Sequence, residues 1–444
     1  MDWHSVRLGV LMLDTPHVKY ERIKKYLKGN NYTGLKIILN EINKYYGIQP
    51  KFISVTELDK YDIVLISLTS YLDIYNLVYT FEKYHVKTWR CKIIIGGSAV
   101  VNIKTYCNYG DYFCFGRGEL SIHDIFNHIF YNTPIKHNHI FIRGVSNFSQ
   151  HFQFRTTEQF YVDKKSSIIE TSYGCYKNCY FCQYTNVTKL FKCFYGKKSF
   201  YKFGRESNFE HIQITDGNGY TTAIDGNSQR LRYAFNKFIS DNDISNLFLS
   251  TPSINQLITL KLYNIAGYPT EQDYDFENLI SLFKSIDSKL KMNHFNILMV
   301  YTPFSPEPVT PSELLEANIF INYRNYLKKY SSESNGLVFS GKHISLYFFK
   351  KINSNYTLLK RMIINRGSSD DIEIIKFILF DKFQKSHDTT HSQKLEHLLK
   401  QFNLTKFYKR HQIGFRGEFS YLRGHKPISR LINESDKLCR NLFI

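Results

Sequence analysis

Three short stretches near the start of the chain are almost wholly apolar: Val6-Arg7-Leu8-Gly9-Val10-Leu11-Met12-Leu13, Tyr61-Asp62-Ile63-Val64-Leu65-Ile66-Ser67-Leu68 and Lys92-Ile93-Ile94-Ile95-Gly96-Gly97. Between the first two, Leu35, Ile38, Leu39, Ile42 and Tyr46 recur at helical spacing, and Leu72 to Tyr84 repeats that pattern after the second. Strands without polar alternation are buried on both faces. Separated by amphipathic helices, they predict a parallel, doubly wound α/β sheet of Rossmann type. Ligands of such sheets lie beyond the carboxyl ends of the strands. That places Ser67, Thr69, Gly96 and Gly97 at a candidate crevice, where the glycines let a ligand approach the backbone.

From Asn132 to Lys165 the chain is polar, aromatic and irregular, with Pro134, and reads as a linker or short hairpin. Strand-like runs resume at Ser167–Thr171, His211–Ile214, Leu262–Ala266 and Asn296–Phe304. Beyond them the pattern predicts a helix over Glu313–Tyr330, a strand over Phe339–Lys350, and helices over Asp370–Phe383 and Leu395–Phe402. The expected division is a doubly wound domain over 1–135, a linker over 136–165, a second α/β domain over 166–325 and a small α+β region over 326–444.

The sharpest chemistry lies in Gly174-Cys175-Tyr176-Lys177-Asn178-Cys179-Tyr180-Phe181-Cys182, where the thiols stand as C-x3-C-x2-C. Thiolates are soft ligands suited to iron–sulfur clusters, and a short loop can wrap three of them around one cluster face. A [4Fe–4S] cube has four iron corners, so Cys175, Cys179 and Cys182 leave one iron open to a ligand. The same residues admit a zinc site if Cys193, eleven residues on, supplies a fourth thiolate.

The cysteine loop resembles the signature of radical S-adenosylmethionine (SAM) enzymes. The resemblance implies a [4Fe–4S] cluster on the three cysteines, SAM on the open iron, and an electron donor of flavodoxin or ferredoxin type. It implies a partial (β/α) barrel over the second domain; because the stretch from Cys182 to Asp225 is short, either a βα unit is missing or the barrel is smaller and more open than usual. It sets Phe181 beside the adenine and Gly267 and Pro269, in Gly267-Tyr268-Pro269-Thr270-Glu271, along it. Asp216, in Thr215-Asp216-Gly217-Asn218, would reach the SAM amino group, although an ordinary Asp-Gly turn accounts for it equally. Asp225 and Ser228, ahead of Arg230-Leu231-Arg232 and Asn236-Lys237, would face the ribose and methionyl carboxylate; Ser228 also reads as a helix cap and the arginines as salt-bridge formers. The first domain resembles the cobalamin-binding domain of one radical SAM subgroup through Ile95-Gly96-Gly97, Tyr109-Gly110-Asp111-Tyr112 and Phe115-Gly116-Arg117-Gly118-Glu119. Asp14-Thr15-Pro16-His17 departs from the D-x-H-x-x-G that carries a cobalt-ligating histidine, so the crevice reads either as a cobalamin site or as a bare scaffold.

At 444 residues and 43% hydrophobic content, the chain is long and apolar enough for two or three cores. The absence of an eighteen-residue apolar run, of a cationic apolar leader and of a disulfide framework leads to the expectation of a soluble cytoplasmic protein without membrane contact. A net charge of +19 fits phosphate binding, or a Lys-, Asn- and Ile-rich composition spread along the chain. With the basic, aromatic tail from Lys406 to Lys426, it keeps a zinc- or cluster-containing nucleic-acid-binding protein open as the other reading. Small molecule, peptide and nucleic acid all stay open as substrate.

Overall fold

The computed structural model describes residues 5–14, 33–136, 138–154, 162–163, 168–170, 172–173, 175, 177–187, 191–192, 201–203, 214, 219–253, 257–318, 336–348, 355–386, 388–409, 422–423 and 428–443. The apolar stretches of the N-terminal third form β1 (Leu8–Leu11), β3 (Ile63–Ser67) and β4 (Lys92–Gly96). They are joined by α1 (Thr33–Tyr46), β2 (Lys51–Ile53) and α2 (Tyr71–Lys83), and followed by β5 (Tyr112–Cys114), α3 (Gly118–Tyr131) and β6 (Ile140–Ile142). The strand order is β2-β1-β3-β4-β5-β6, parallel except for β6, which runs antiparallel to β5. In a sheet of this order the connections leave β1 and β3 in opposite directions, opening a crevice at their carboxyl ends. Ile63, Val64 and Ile93 are fully buried, as strands covered on both faces require. β6 lies inside the stretch expected as linker, where it extends the sheet.

After the cysteine loop comes the single-turn α4 (Gln183–Val187), and then a second sheet. Its elements are β7 (Tyr220–Ala223), α5 (Gln229–Ala234), α6 (Asp241–Leu249), β8 (Leu257–Ala266), α7 (Asp273–Lys289), β9 (His294–Pro303), β10 (Leu337–Ser340) and β11 (Ile344–Phe348). The order is β7-β8-β9-β11-β10, with β7, β8, β9 and β11 parallel and β10 antiparallel. Ile258, Leu260, Leu262, Ile297 and Met299 from its centre pack with Phe248, Phe276 and Phe283 from the helices. Strand Ile168–Glu170, ahead of the cysteines, belongs to a separate three-stranded sheet with Val162–Asp163 and Tyr201–Phe203, and Ser172–Tyr173 pairs with Phe191–Lys192 in another, so among the described residues these strands do not close as one barrel.

Three expected elements differ. The helix expected over Asp370–Phe383 ends at Phe380, where Asp381 turns extended (φ −61°, ψ 134°) and caps a new turn over Lys382–Lys385. The single strand over Phe339–Lys350 is a hairpin, β10 and β11. Its turn is held by Asp287 of α7, whose carboxylate accepts from the N–H groups of Lys342 (3.0 Å), His343 (2.7 Å) and Ile344 (2.7 Å). The helix expected from Glu313 begins instead as turns over Pro311–Leu315, and 319–330 lies outside the described residues. The carbonyls of Glu313 and Leu315 accept from the buried Arg366 guanidinium at 2.7 and 2.6 Å, so they do not enter a helical ladder.

The C-terminal helices α8 (Asn355–Arg366) and α9 (Ile372–Phe380) pack on α2 of the N-terminal unit, and α10 (His391–Gln401) packs on α8. Leu359, Met362, Ile363 and Ile375 share one apolar cluster with Ile74, Leu77, Val78 and Phe81 of α2. Asn102 Nδ2 donates to the carbonyls of Ile364 (2.9 Å) and Gly367 (2.7 Å), tying the two ends of the chain at a fully buried point. The last helix, α11 (Ile428–Phe443), reaches the cysteine loop: Leu438 and Leu442 pack with Tyr180 and Phe235. None of the described helices is long and apolar enough to cross a membrane.

Candidate active site around the cysteine loop

The loop is fixed through its backbone by the helix that follows it. Asn186 Nδ2, fully buried, donates to the carbonyls of Cys179 (3.1 Å) and Cys182 (2.8 Å), and Thr185 Oγ1 donates to the carbonyl of Cys175 (3.1 Å) and accepts from Asn178 N–H (3.1 Å). A short helix of polar residues directly after the last cysteine therefore returns to all three. Asn178 takes the left-handed conformation (φ 56°) that Asn tolerates better than most residues. Its carbonyl accepts from Asn236 (2.9 Å) and its amide reaches Glu434 of α11 (3.4 Å). From the other side Tyr180 N–H donates to Phe235 O at 2.9 Å, and Ser312 N–H to Tyr180 O at 3.2 Å.

None of the three thiols is in a disulfide. Burial pushes the Cys179 thiol up to about 12; the nearby Lys237 ammonium opposes the shift, and Asp225, Cys182 and Cys175 add to it. The three thiols thus share one electrostatic neighbourhood. Among the described residues, no three His, Cys, Asp or Glu side chains are grouped so as to hold a metal ion as they stand. A cube takes one thiolate per iron, so its sulfurs stand wider apart than the ligands of a single ion. Three soft donors on one pinned loop match that demand in number and kind. Cys193, the fourth ligand of the zinc reading, lies outside the described residues, as does Asp216.

The strand-end residues are drawn into a polar network. Asp225 follows β7 in a left-handed conformation (φ 53°); its carboxylate pairs with Lys237 at 2.8 Å and its carbonyl accepts from Tyr268 OH at 2.8 Å. Phe181 packs 6.3 Å from Phe235, which lies 4.2 Å from the Tyr268 ring, between Gly267 and Pro269. Gly267 (φ 83°) donates its N–H to Glu271, and Glu271 also accepts from Asn227 Nδ2 at 2.6 Å. Asn227 in turn accepts from Asn264 (2.6 Å) and Tyr301 OH (2.9 Å). Burial raises Glu271 to about 8, against the pull of the Gly267 N–H and the Asn227 amide. Ser228 caps α5, accepting from Leu231 N–H at 3.3 Å, and its hydroxyl is shared with Asp275. Both arginines are structural: Arg230 pairs with Asp275 at 2.7 Å, and the fully buried Arg232 pairs with Asp241 while donating to the carbonyls of Ile239 and Gly226.

A cavity of ≈ 750 Å3 connects this loop to the N-terminal sheet. Ser67, Thr69, Gly96 and Gly97, all expected at the crevice from strand order, line one wall, and Phe181, Cys182, Gln183 and Tyr184 line another. Its size is that of a small-molecule or cofactor site. Apolar side chains of α1, α3 and the sheet, Ile37, Ile38, Leu65, Ile94 and Ile122, line it further. Gly97 (φ 114°) admits no side chain, because a Cβ there would stand 2.2 Å from Leu68 O; Gly96 faces open space, its nearest neighbour being Cys114 Cβ at 3.9 Å. Thr69 spends its hydroxyl on Asp73 of α2, at 2.8 Å. Two ion pairs missed in the sequence, Arg117–Glu119 and Arg361–Glu307 (2.7 Å), also line the cavity. Arg117 and Glu119 lie in the segment that carries the cobalamin-domain resemblance. Arg361 and Glu307 are brought in only by tertiary packing and leave no local signal.

No family model matches the chain. An uncharacterized protein of Methanocaldococcus jannaschii, MJ0966, is 30% identical over 112 residues, which is 25% of this chain and 24% of that one. Among solved structures, the cobalamin-dependent SAM radical enzyme OxsB with aqua-cobalamin bound aligns over 99% of this chain at 13% identity and a TM-score of 0.30. Its form with aqua-cobalamin and SAM bound aligns at 12% identity and a TM-score of 0.31. Scores of that size carry no argument about fold or function. The chain spans 57% and 56% of those two chains and about a quarter of MJ0966.

Proposed function

We propose that this chain is a radical SAM enzyme whose [4Fe–4S] cluster is held by Cys175, Cys179 and Cys182. One observation carries the reading: Cys182 of a three-thiol loop and the strand-end glycines of a doubly wound sheet line the same cavity. Bound there with SAM, such a cluster supplies one electron for reductive S–C cleavage, and so a 5′-deoxyadenosyl radical able to take hydrogen from an unreactive C–H bond. The chain's own residues hold and enclose. Thr185 and Asn186 fix the three cysteine carbonyls, and α11 closes over Tyr180. Phe181 lies at the cavity wall, beside Cys182.

The cavity beyond Gly96 and Gly97 is where a cobalamin would lie, with methyl transfer as the outcome. None of its described lining residues is a histidine, in keeping with the missing D-x-H-x-x-G, so the protein would hold that cofactor without an imidazole on cobalt from these walls. The electron would come from a flavodoxin- or ferredoxin-type donor. The nucleic-acid reading gains nothing from the described part of the basic tail, where Phe407 is fully buried and Lys406 pairs with Asp371 at 2.7 Å.

Anaerobic reconstitution tests the proposal. About four irons and four sulfides per chain are expected, with 5′-deoxyadenosine formed from SAM under dithionite and lost in Cys179→Ala. Zinc in place of iron, or no SAM cleavage by the loaded protein, overturns it.

A further inference from the structure

We infer that Lys237 is a positioning residue that sets the reduction potential of the cysteine-bound cluster by holding a buried positive charge, balanced by Asp225, against Cys179. The inference rests on the proposed cluster and goes beyond its ligands. Its geometry comes from the segment Phe235-Asn236-Lys237, which docks on the cysteine loop at two points. Phe235 O accepts from Tyr180 N–H (2.9 Å), and Asn236 Nδ2 donates to Asn178 O (2.9 Å). Asn236 is left-handed (φ 58°) and Lys237 N–H donates back to Arg232 O at 2.8 Å, so the chain turns sharply and is anchored at the lysine backbone. The Lys237 side chain is 11% exposed and its ammonium meets Asp225 at 2.8 Å.

A lysine with so little access to water is costly to keep charged unless anions surround it. Asp225 supplies such an anion at 2.8 Å, and the backbone contacts at Asn178 and Tyr180, on either side of Cys179, carry the lysine to the cysteine loop. Charge and thiols are therefore within mutual electrostatic reach in a site of low dielectric. Reduction of a [4Fe–4S] cluster from the 2+ to the 1+ state adds one electron and no proton at the ligands, so a fixed cation favours the reduced state and a fixed anion disfavours it. For unit charges at a few ångströms under an effective dielectric near 20, and allowing for the opposing Asp225, the effect is about tenfold in the one-electron reduction constant, or about 59 mV.

The measurement is a redox titration of the reconstituted protein without SAM, with dithionite as electron source and the reduced cluster followed by electron paramagnetic resonance. Iron and sulfide are counted for each variant. Lys237→Met is expected to lower the reduction constant about tenfold, Lys237→Arg to stay near wild type, and Asp225→Asn to raise the constant. The opposite signs of the two neutralising variants separate charge from folding damage, which would move both the same way. An unchanged potential in loaded Lys237→Met overturns the inference; should that variant not load, an unchanged or lowered constant in Asp225→Asn overturns it instead. A wild-type protein without iron and sulfide sinks the cluster reading itself, a failure visible before any potential is measured.

Discussion

Glu271 sits where a carboxylate is ill at ease, part-buried beside Asp275, with the Gly267 N–H and the Asn227 amide as its donors. Burial holds its pKa at about 8, against an ordinary value of 4.5. Folding therefore takes up a proton between those two values. The stabilisation is complete below about pH 4.5 and is lost as pH rises through about 8. Glu271→Gln keeps the shape and cannot ionise, so its melting temperature, compared with wild type from about pH 5 to about pH 8.5, should gain on wild type as the pH rises. A constant difference across that window would show that Glu271 ionises in the folded protein as it does in water. At this scale the cysteine loop was legible as a group of three thiols on one short segment, from the C-x3-C-x2-C spacing. The roles of Ser228, Arg230 and Arg232 were legible only as alternatives. A capping serine and a salt-bridged arginine use the same residue types as a ligand site; the cap and the ion pairs to Asp275 and Asp241 emerge only from the folded contacts.

Secondary elements were legible in proportion to how locally their hydrogen bonds close. β3 and β4 could be read because strands buried on both faces need apolar residues throughout, and α1 and α2 because each buries one stripe. The β10–β11 hairpin could not. Ser340-Gly341-Lys342-His343 interrupts the apolar pattern, but the group that holds the turn is Asp287, fifty-seven residues before Ile344. Asp287→Ala leaves three turn N–H groups without their acceptor, which costs about 1–3 kcal/mol. Denaturant unfolding should show that loss, with the slope unchanged; a loss below about 0.5 kcal/mol would mean that water replaces the carboxylate. The same reasoning explains the missing helix start at Glu313, whose carbonyl accepts from Arg366. The sequence shows Arg366-Gly367 as a motif but not what the arginine reaches. Its guanidinium gathers the carbonyls of Glu313, Leu315, Phe407 and Lys409 from two distant loops.

For the molecule as a whole, the sequence suggested domains in series, whereas α8 and α9 return from the C-terminal region to complete the core of the N-terminal unit. That return brings Arg361 to the cavity, and α11 brings Glu434 to the cysteine loop. Long-range closure of this kind leaves no periodicity to read, and so the crevice and the cysteines could be found separately but not as one site. Their union makes a steric test possible. Gly96→Leu would project a side chain into the cavity from a position whose Cβ meets nothing nearer than 3.9 Å, and it lies outside the cysteine loop. If the cavity takes a cobalamin, wild-type protein should bind hydroxocobalamin in an equilibrium titration, and Gly96→Leu should weaken binding at least tenfold, about 1.4 kcal/mol. Iron content and melting temperature should stay near wild type. Equal binding by both proteins would place cobalamin elsewhere, and no binding by either would leave the crevice as a scaffold beside the cluster. A Gly97 variant could not make this distinction, because a Cβ there collides with Leu68 O and would disturb the strand end as well as the cavity.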